Sequence, residues 1–388
     1  MSTRDLAYIN GEVLRWARER AGETRESIAN ALKVEPEAIE AWETGTPPPF
    51  SKAETLAHKL RIPLGYLFLS KPPKHDIPIP DLRTLRDRRK AKPSVDFLET
   101  VELVLAKQQW CREYLAARNS EPLKFVGNFH VNGIQAVARN IVDVIKIDEP
   151  MRQTCTSWEQ FLRGFVQHTE SVGVLVMRNG FVGHDNNRPL SVTEFRGLAI
   201  SDTLAPLVFI NAQDAKAAQI FTLAHELAHI WIGESGISNP DPEKRSTDEH
   251  HEIERFCNRV AAEVLVPKDG FVERWDSSIG VDQNAQRLAR YYRVSAYVVL
   301  RQAYELNKIT GSQYVNQIRL YEAEWERLKN REEDTQGNFY ANLNVRHSKM
   351  LVSTVVKALA GGEISYLDAS RLLQLRTSVL KKLEKLVG

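Results

Sequence analysis

The chain has 388 residues, 43% of them hydrophobic and 26% charged, with a formal net charge of +2. That length allows two or three domains, each with its own core, and the near balance of charge excludes a globally basic nucleic-acid coat, so any nucleic-acid contact must come from a local patch. Cys111, Cys155 and Cys257 are scattered without C-x-x-C spacing and read as reduced, buried thiols, not as a disulfide framework or a zinc knot. The opening MSTRDLAYINGEV is polar, and no apolar run approaches the ~18 residues a bilayer span needs. The expectation is a cytoplasmic protein with no membrane partner.

Residues 1 to 70 predict about five short helical segments divided by turn signals. Glu12 to Arg20 sets Val13, Leu14 and Ala17 at helical spacing, and Thr24 caps a second helix through Leu32 with Ile28 and Ala29 turned inward. Lys33-Val34-Glu35 turns into a third helix, Pro36 to Thr44, with proline at a favourable first position. Gly45 and prolines 47 to 49 end it, Ser51 to Leu60 is a fourth amphipathic helix, and Pro63 to Leu69 closes the unit. A helix, a tight turn and a second helix in a small all-α unit is the helix-turn-helix arrangement. Through Leu14-x3-Arg18, Ser27-Ile28-Ala29, Val34, Ile39, Trp42-Glu43-x-Gly45, Pro48 and Leu56-Ala57, the unit resembles the XRE-type (Cro/C1-like) helix-turn-helix family. The resemblance implies a fold and leaves the use open between reading DNA, holding a protein and a structural relic. The helix that would enter the groove carries Glu37, Glu40 and Glu43, preceded by Glu35, and no Lys, Arg, Asn or Gln. Carboxylates repel phosphate, and base contacts come mainly from the missing types.

Residues 71 to 92 hold eight Lys/Arg against three Asp, a net of +5, among prolines. The composition reads as an extended, solvated linker. The sharper alternative is a phosphate-contacting arm, with Arg83, Arg86, Arg88 and Arg89 as candidate nucleic-acid contacts. From Ser94 the pattern turns helical through Phe97, Val101, Val104, Leu105, Trp110 and Tyr114.

Downstream, Asn132 to Ile145 and Trp158 to Glu170 predict helices; Val172 to Met177, Gly197 to Ile200 and Leu207 to Asn211 predict strands. Next comes FTLAHELAHIWI, Phe221 to Ile232, which contains His225-Glu226-Leu227-Ala228-His229. A helix there is apolar nearly all round and therefore buried, with Gly233 as its stop signal. Residues four apart share a face, so both imidazoles aim at one ion, and Glu226 is placed to polarise a water at the metal without binding it. Two histidines and a carboxylate on a buried apolar helix call for a partner cation.

A catalytic zinc takes three protein ligands, and the elongated H-E-x-x-H-x-x-G-x-x-H pattern is excluded because Ile232 and Ser235 occupy its glycine and final histidine positions. The carboxylates and histidines from Asp241 to Glu263 are the remaining candidates. If Glu252 to Val266 is one helix, Ile253, Cys257, Val260 and Val264 define its inward face. Glu254 lies at the edge of that face in a column with Asn258, while Glu252 and Glu263 fall on the opposite side. Glu254 is the best-placed third ligand, with Asn258 as its candidate hydrogen-bonding support.

Four segments carry a resemblance to the ImmA/IrrE family of zinc-dependent metallopeptidases. They are Phe195-Arg196-Gly197-Leu198-Ala199-Ile200, Pro206 to Asn211, Phe221 to His229, and Glu254-x2-Cys257-Asn258-x-Val260-Ala261-Ala262-Glu263-Val264-Leu265-Val266-Pro267. The resemblance implies zinc on His225, His229 and Glu254, with Glu226 as general base; the ligand set also admits Mn2+. It further implies a specific protein substrate, typically an XRE-type repressor, whose cleavage switches on stress, phage-defence or mobile-element genes. Tyr291, Tyr292, His250 and His251 are candidates for stabilising the oxyanion. The alternative is a non-enzymatic DNA-binding regulator, or an antitoxin with a toxin partner, that uses the peptidase fold as a sensing or scaffold module.

The C-terminal part predicts a charged helix from Tyr304 to Arg331, a break at Gly337 to Tyr340, an amphipathic helix from Arg346 to Leu359, a turn at Gly361-Gly362 and two further helices. The expected fold class is mainly α (α+β). It comprises an all-α helix-turn-helix domain over 1–70, a basic linker and connecting helix over 71–120, a zincin-like peptidase domain with a small β-sheet over 121–305, and a helical C-terminal extension over 306–388.

Overall fold

A computed structural model describes residues 5–73, 93–131, 133–238, 249–328 and 339–387. The fold is mainly helical with a small mixed sheet. Its described residues fall into two compact units, one of residues up to 73 with 93–99 and the other of those from 100 onward.

The first unit is built from α1 (Gly11–Arg20), α2 (Arg25–Leu32), α3 (Pro36–Glu43), α4 (Phe50–Lys59) and a 3-10 turn, Leu64–Phe68. Leu14, Ile28, Ile39, Trp42, Leu56 and Leu67 form its core. The caps follow the sequence: the Thr24 side chain accepts from Ser27 N–H, and Lys33 ends α2 in the left-handed conformation. Gly11 has a steric reason, since a Cβ there would overlap the carbonyl of Glu43. Glu43, expected as one of three groove-facing carboxylates, points inward instead. It is 3% exposed and bound by Arg18 and Arg25. Burial raises its pKa, but the Arg18 and Arg25 hydrogen bonds outweigh that and hold it below its ordinary value.

α5 (Val95–Ala116) leads into the second unit, which contains α6 (Ile134–Ile145), α7 (Glu149–Gln153) and α8 (Trp158–Ser171) ahead of the sheet. The strands are β1 (Leu175–Asn179), β2 (Phe181–Val182), β3 (Asp185–Pro189), β4 (Gly197–Ile200), β5 (Leu207–Asn211) and β6 (Gly236–Ser238). Four of them form one sheet in the order β1-β5-β4-β6, and β2 and β3 make a separate hairpin that the sequence pattern did not show. β1 runs parallel to β5 with Leu175 opposite Leu207; β4 runs antiparallel to both neighbours, pairing Gly197 with Ile210 on one side and Ser238 on the other.

α9 (Lys216–Ile232) packs on β4 and β5 and against α10 (Glu249–Leu265), with α6 and α8 on its other sides. Everything from Gln219 to Ile232 is buried, as the apolar run requires. Gly233 ends the helix with φ 82°, a left-handed conformation that suits glycine. The segment before α6 covers this helix end: Gly127 N–H donates to Ile230 O, Phe129 N–H to Trp231 O, and Phe125 stacks on Trp231. Those bonds satisfy carbonyls that a helix terminus leaves open.

α11 (Lys268–Arg274), α12 (Val281–Tyr292) and α13 (Ala296–Glu305) follow. The continuous helix expected from Tyr304 does not form: Asn307 is left-handed at φ 54°, and a new helix, α14 (Gly311–Leu328), starts after Thr310, whose hydroxyl bonds Gln313. The helix expected from Arg346 is likewise divided. α15 (Phe339–His347) ends at Ser348, which has φ 69° and caps α16 (Lys349–Ala360) by accepting from Leu351 N–H. Short polar residues that tolerate positive φ and cap with their own side chains made both breaks. α17 (Tyr366–Leu373) and α18 (Thr377–Val387) complete the chain, and α15 packs against β1. No described helix is long and apolar enough to cross a membrane.

Candidate metal centre

α9 and α10 pack side by side and bring three donors to one point. His225 Nε2 lies 3.1 Å from His229 Nε2. From α10, Glu254 places Oε2 at 3.4 Å from His225 Nε2 and Oε1 at 3.2 Å from His229 Nε2. Among the described residues this is the one group of three or more His, Cys, Asp or Glu donors able to share an ion. Both imidazoles are completely buried. Burial works against charge on Glu254, and the two histidines outweigh it, holding the carboxyl at about 2.

The residues fit a divalent ion. Two buried ring nitrogens and a carboxylate converge on one point, where either a proton or a cation must lie between their lone pairs, and a divalent ion satisfies all three at once. Two imidazoles and a carboxylate are also the donor set of hydrolytic zinc sites.

Glu226 sits one residue beyond the first imidazole and is fully buried. Oε1 accepts a hydrogen bond from the Ser238 hydroxyl on β6, while Oε2 has no hydrogen-bond partner among the described residues. Burial raises its pKa to about 8, against the opposing pull of His229 and the Ser238 hydrogen bond. With no cation beside it, a carboxyl so buried holds its proton far more tightly than an exposed one.

Other expected residues fall differently. Asn258 is buried one turn beyond Glu254, but its Oδ1 has no partner, so no hydrogen bond ties that oxygen to the ligands. Glu263 is half-buried away from the three donors: Oε1 accepts from Lys268 N–H and Oε2 from Gln302. Tyr291 reaches Glu149, and the buried face of Tyr292 packs at the C-terminal end of α10, where Arg152 binds its carbonyl. Arg83, Arg86, Arg88 and Arg89, and the side chains of His250 and His251, lie outside the described residues. Ser238 was missed because nothing in its spacing marks it; only the pairing of β6 with β4 places it beside Glu226.

Residues 169–304 match the family model of the IrrE N-terminal-like domain, Peptidase_M78. This stretch is similar to a peptidase domain of the ImmA/IrrE type. The matched range begins near the end of α8 and closes at the end of α13, so the IrrE-like region holds the whole sheet, all three converging donors and Glu226. No curated protein matches the chain.

Proposed function

We propose that the chain is a zinc-dependent endopeptidase that cleaves a specific regulatory protein, of which an XRE-type repressor is the leading class. The observation that carries this reading is the convergence of His225, His229 and Glu254 next to a buried carboxylate, one of whose oxygens has no partner among the described residues. When bound, a divalent ion would supply Lewis acidity, polarising the scissile carbonyl and making water a stronger acid. His225, His229 and Glu254 would hold it. Glu226 Oε2 takes a proton from the attacking water as the C–O bond forms, and returns it to the nitrogen as the C–N bond breaks. Burial keeps bulk water from competing for that oxygen.

The first unit, in this reading, engages protein in preference to DNA. α3 turns Glu37 and Glu40 to solvent with no basic residue of its own; Arg25 of α2 pairs with Glu40 at 2.8 Å, which leaves Glu37 as the carboxylate that repels phosphate there.

The test is zinc-loaded wild type against Glu226→Gln, each incubated with a set of purified XRE-type repressor proteins and with fluorescein-labelled casein as a general substrate. Cleavage by wild type, with at least ~100-fold loss in the variant at equal zinc content, is expected. Equal cleavage by both, or full biological function in Glu226→Gln, sinks the enzyme reading and favours the non-enzymatic regulator.

A further inference from the structure

Glu226 is held from two adjacent strands at a single oxygen. Gly197 on β4 and Ser238 on β6 are direct cross-strand partners. The Ser238 hydroxyl donates to Glu226 Oε1. Gly197 has no side chain beside the same oxygen, and a Cβ built there would overlap Oε1 and come within 2.8 Å of Glu226 Cδ and 2.7 Å of Thr222 Cγ2. Gly197 therefore leaves the space that Oε1 occupies, and Ser238 supplies the hydrogen bond that keeps it there. Both residues are buried, Ser238 completely, so no solvent competes for the bond. The other oxygen, Oε2, is buried and has no partner among the described residues.

We propose that Ser238 and Gly197 are positioning residues that clamp Glu226 Oε1 and reserve Oε2 for proton transfer. The inference rests on the peptidase reading for its purpose, but the clamp itself is a structural statement. A glutamate carboxylate on three rotatable bonds would otherwise populate several rotamers, and either oxygen could face the donors. Freezing one oxygen from the sheet gives the base a single orientation before substrate arrives. Misplacing a reacting group by ~1 Å can cost on the order of 100-fold in rate. The ligands on α9 and α10 are not part of this clamp, so the clamp can be broken without removing the metal.

The test uses the full chain loaded with zinc, as wild type, Ser238→Ala, Ser238→Thr and Gly197→Ala. Crystal structures and zinc content are measured for each, together with kcat and KM on labelled casein. Expected are one equivalent of zinc throughout and a rotated or split Glu226 carboxylate in Ser238→Ala and Gly197→Ala. The wild-type pose should return in Ser238→Thr, which keeps the hydroxyl. Expected in the kinetics is a fall in kcat of ~10- to 100-fold with KM little changed, recovered in Ser238→Thr. An unmoved Glu226 in both Ser238→Ala and Gly197→Ala overturns the clamp, whatever the kinetics. Failure of wild type to cut any substrate removes the peptidase reading and leaves the positional result to decide the clamp on its own. Should Ser238→Ala not fold, Gly197→Ala and Ser238→Thr still test the same oxygen from the two sides.

Discussion

Glu254 Oε1 lies 3.2 Å from His229 Nε2, although the two residues sit on different helices. The contact fixes which downstream carboxylate completes the set, and it leads to a metal prediction. Glu254→Ala should weaken zinc binding by roughly 100-fold or more, beyond the ~10- to 100-fold typical of losing an outer hydrogen-bonding partner. Competition against a chromophoric chelator measures it. Unchanged affinity would show that the ion, if any, is held elsewhere. Asn258→Ala, which bonds none of the ligands through its Oδ1, should leave affinity within a few-fold of wild type.

Glu226 yields a second prediction, in the metal-free protein. Its pKa rises from 4.5 to about 8 on folding because burial disfavours the charge. For an acid whose folded pKa is raised, the stabilising contribution is full below the unfolded pKa and is lost as pH rises through the folded one. At pH 7 the metal-free wild type therefore carries a penalty that Glu226→Gln lacks, on the order of 3 kcal/mol at ~1.4 kcal/mol per pH unit. Urea unfolding of chelator-treated protein should show the variant more stable at pH 7, with the gap closing towards pH 4.5. A constant gap across that range would mean that titration of Glu226 is not its source.

The sequence made the helix of the candidate metal centre legible because two signals coincide there. An all-apolar run of helical length fixes burial, and i, i+4 histidines fix a shared face. Glu254 was legible for a related reason: helical periodicity divides Glu252, Glu254 and Glu263 among different faces. What periodicity cannot deliver is tertiary pairing. Ser238 acquires its role only from β4–β6 register, and the inward turn of Glu43 depends on arginines from two other helices. The interruption at Ser348 was hidden for a different reason, since neither Gly nor Pro marks it and its positive φ is a local accommodation, whereas the break at Asn307 had Gly311 beside it as its signal.

Arg152 supports the site from a distance. Its guanidinium donates to Val264 O at 2.7 Å and Leu265 O at 2.8 Å, the last carbonyls of the helix that carries Glu254. It also donates to Ile147 O at 3.2 Å and Tyr292 O at 3.3 Å. Burial pushes its pKa down to about 10, so it stays charged at neutral pH. Arg152→Met keeps most of the volume and strands these acceptors, each of which costs ~1–3 kcal/mol when buried unpaired. The expected loss is a few kcal/mol in urea unfolding of the zinc-loaded protein. Arg152→Lys should recover little of it, because an ammonium cannot span the fork of acceptors. Near-wild-type stability in Arg152→Met would contradict this assignment.

His347 predicts an acid-sensitive C-terminal region. It ends α15, is 1% exposed, and shares a 2.8 Å contact between its Nε2 and that of His184 on the β2–β3 turn. Lys107 from α5 and Arg346 beside it on α15 are the cations that act on it, while the Glu170 carboxylate binds the neighbouring Ser348 hydroxyl. Burial first, then Lys107, His184 and Arg346, push its pKa from 6.5 down to about 2. The sign is that of a base kept neutral by folding: its contribution is full above pH 6.5 and is lost progressively as pH falls below it. Between pH 6.5 and 5 the loss is about 2 kcal/mol at ~1.4 kcal/mol per unit. Lys107, lowered by burial to about 8, is protonated throughout that window and adds no slope. His347→Gln keeps a hydrogen-bonding side chain without the titration. The difference in unfolding free energy between wild type and His347→Gln, measured at each pH with equal zinc loading, cancels the common contribution of the metal site. That difference should move against wild type by about 2 kcal/mol over the window, whereas a flat difference would show that the imidazole charges without breaking its packing.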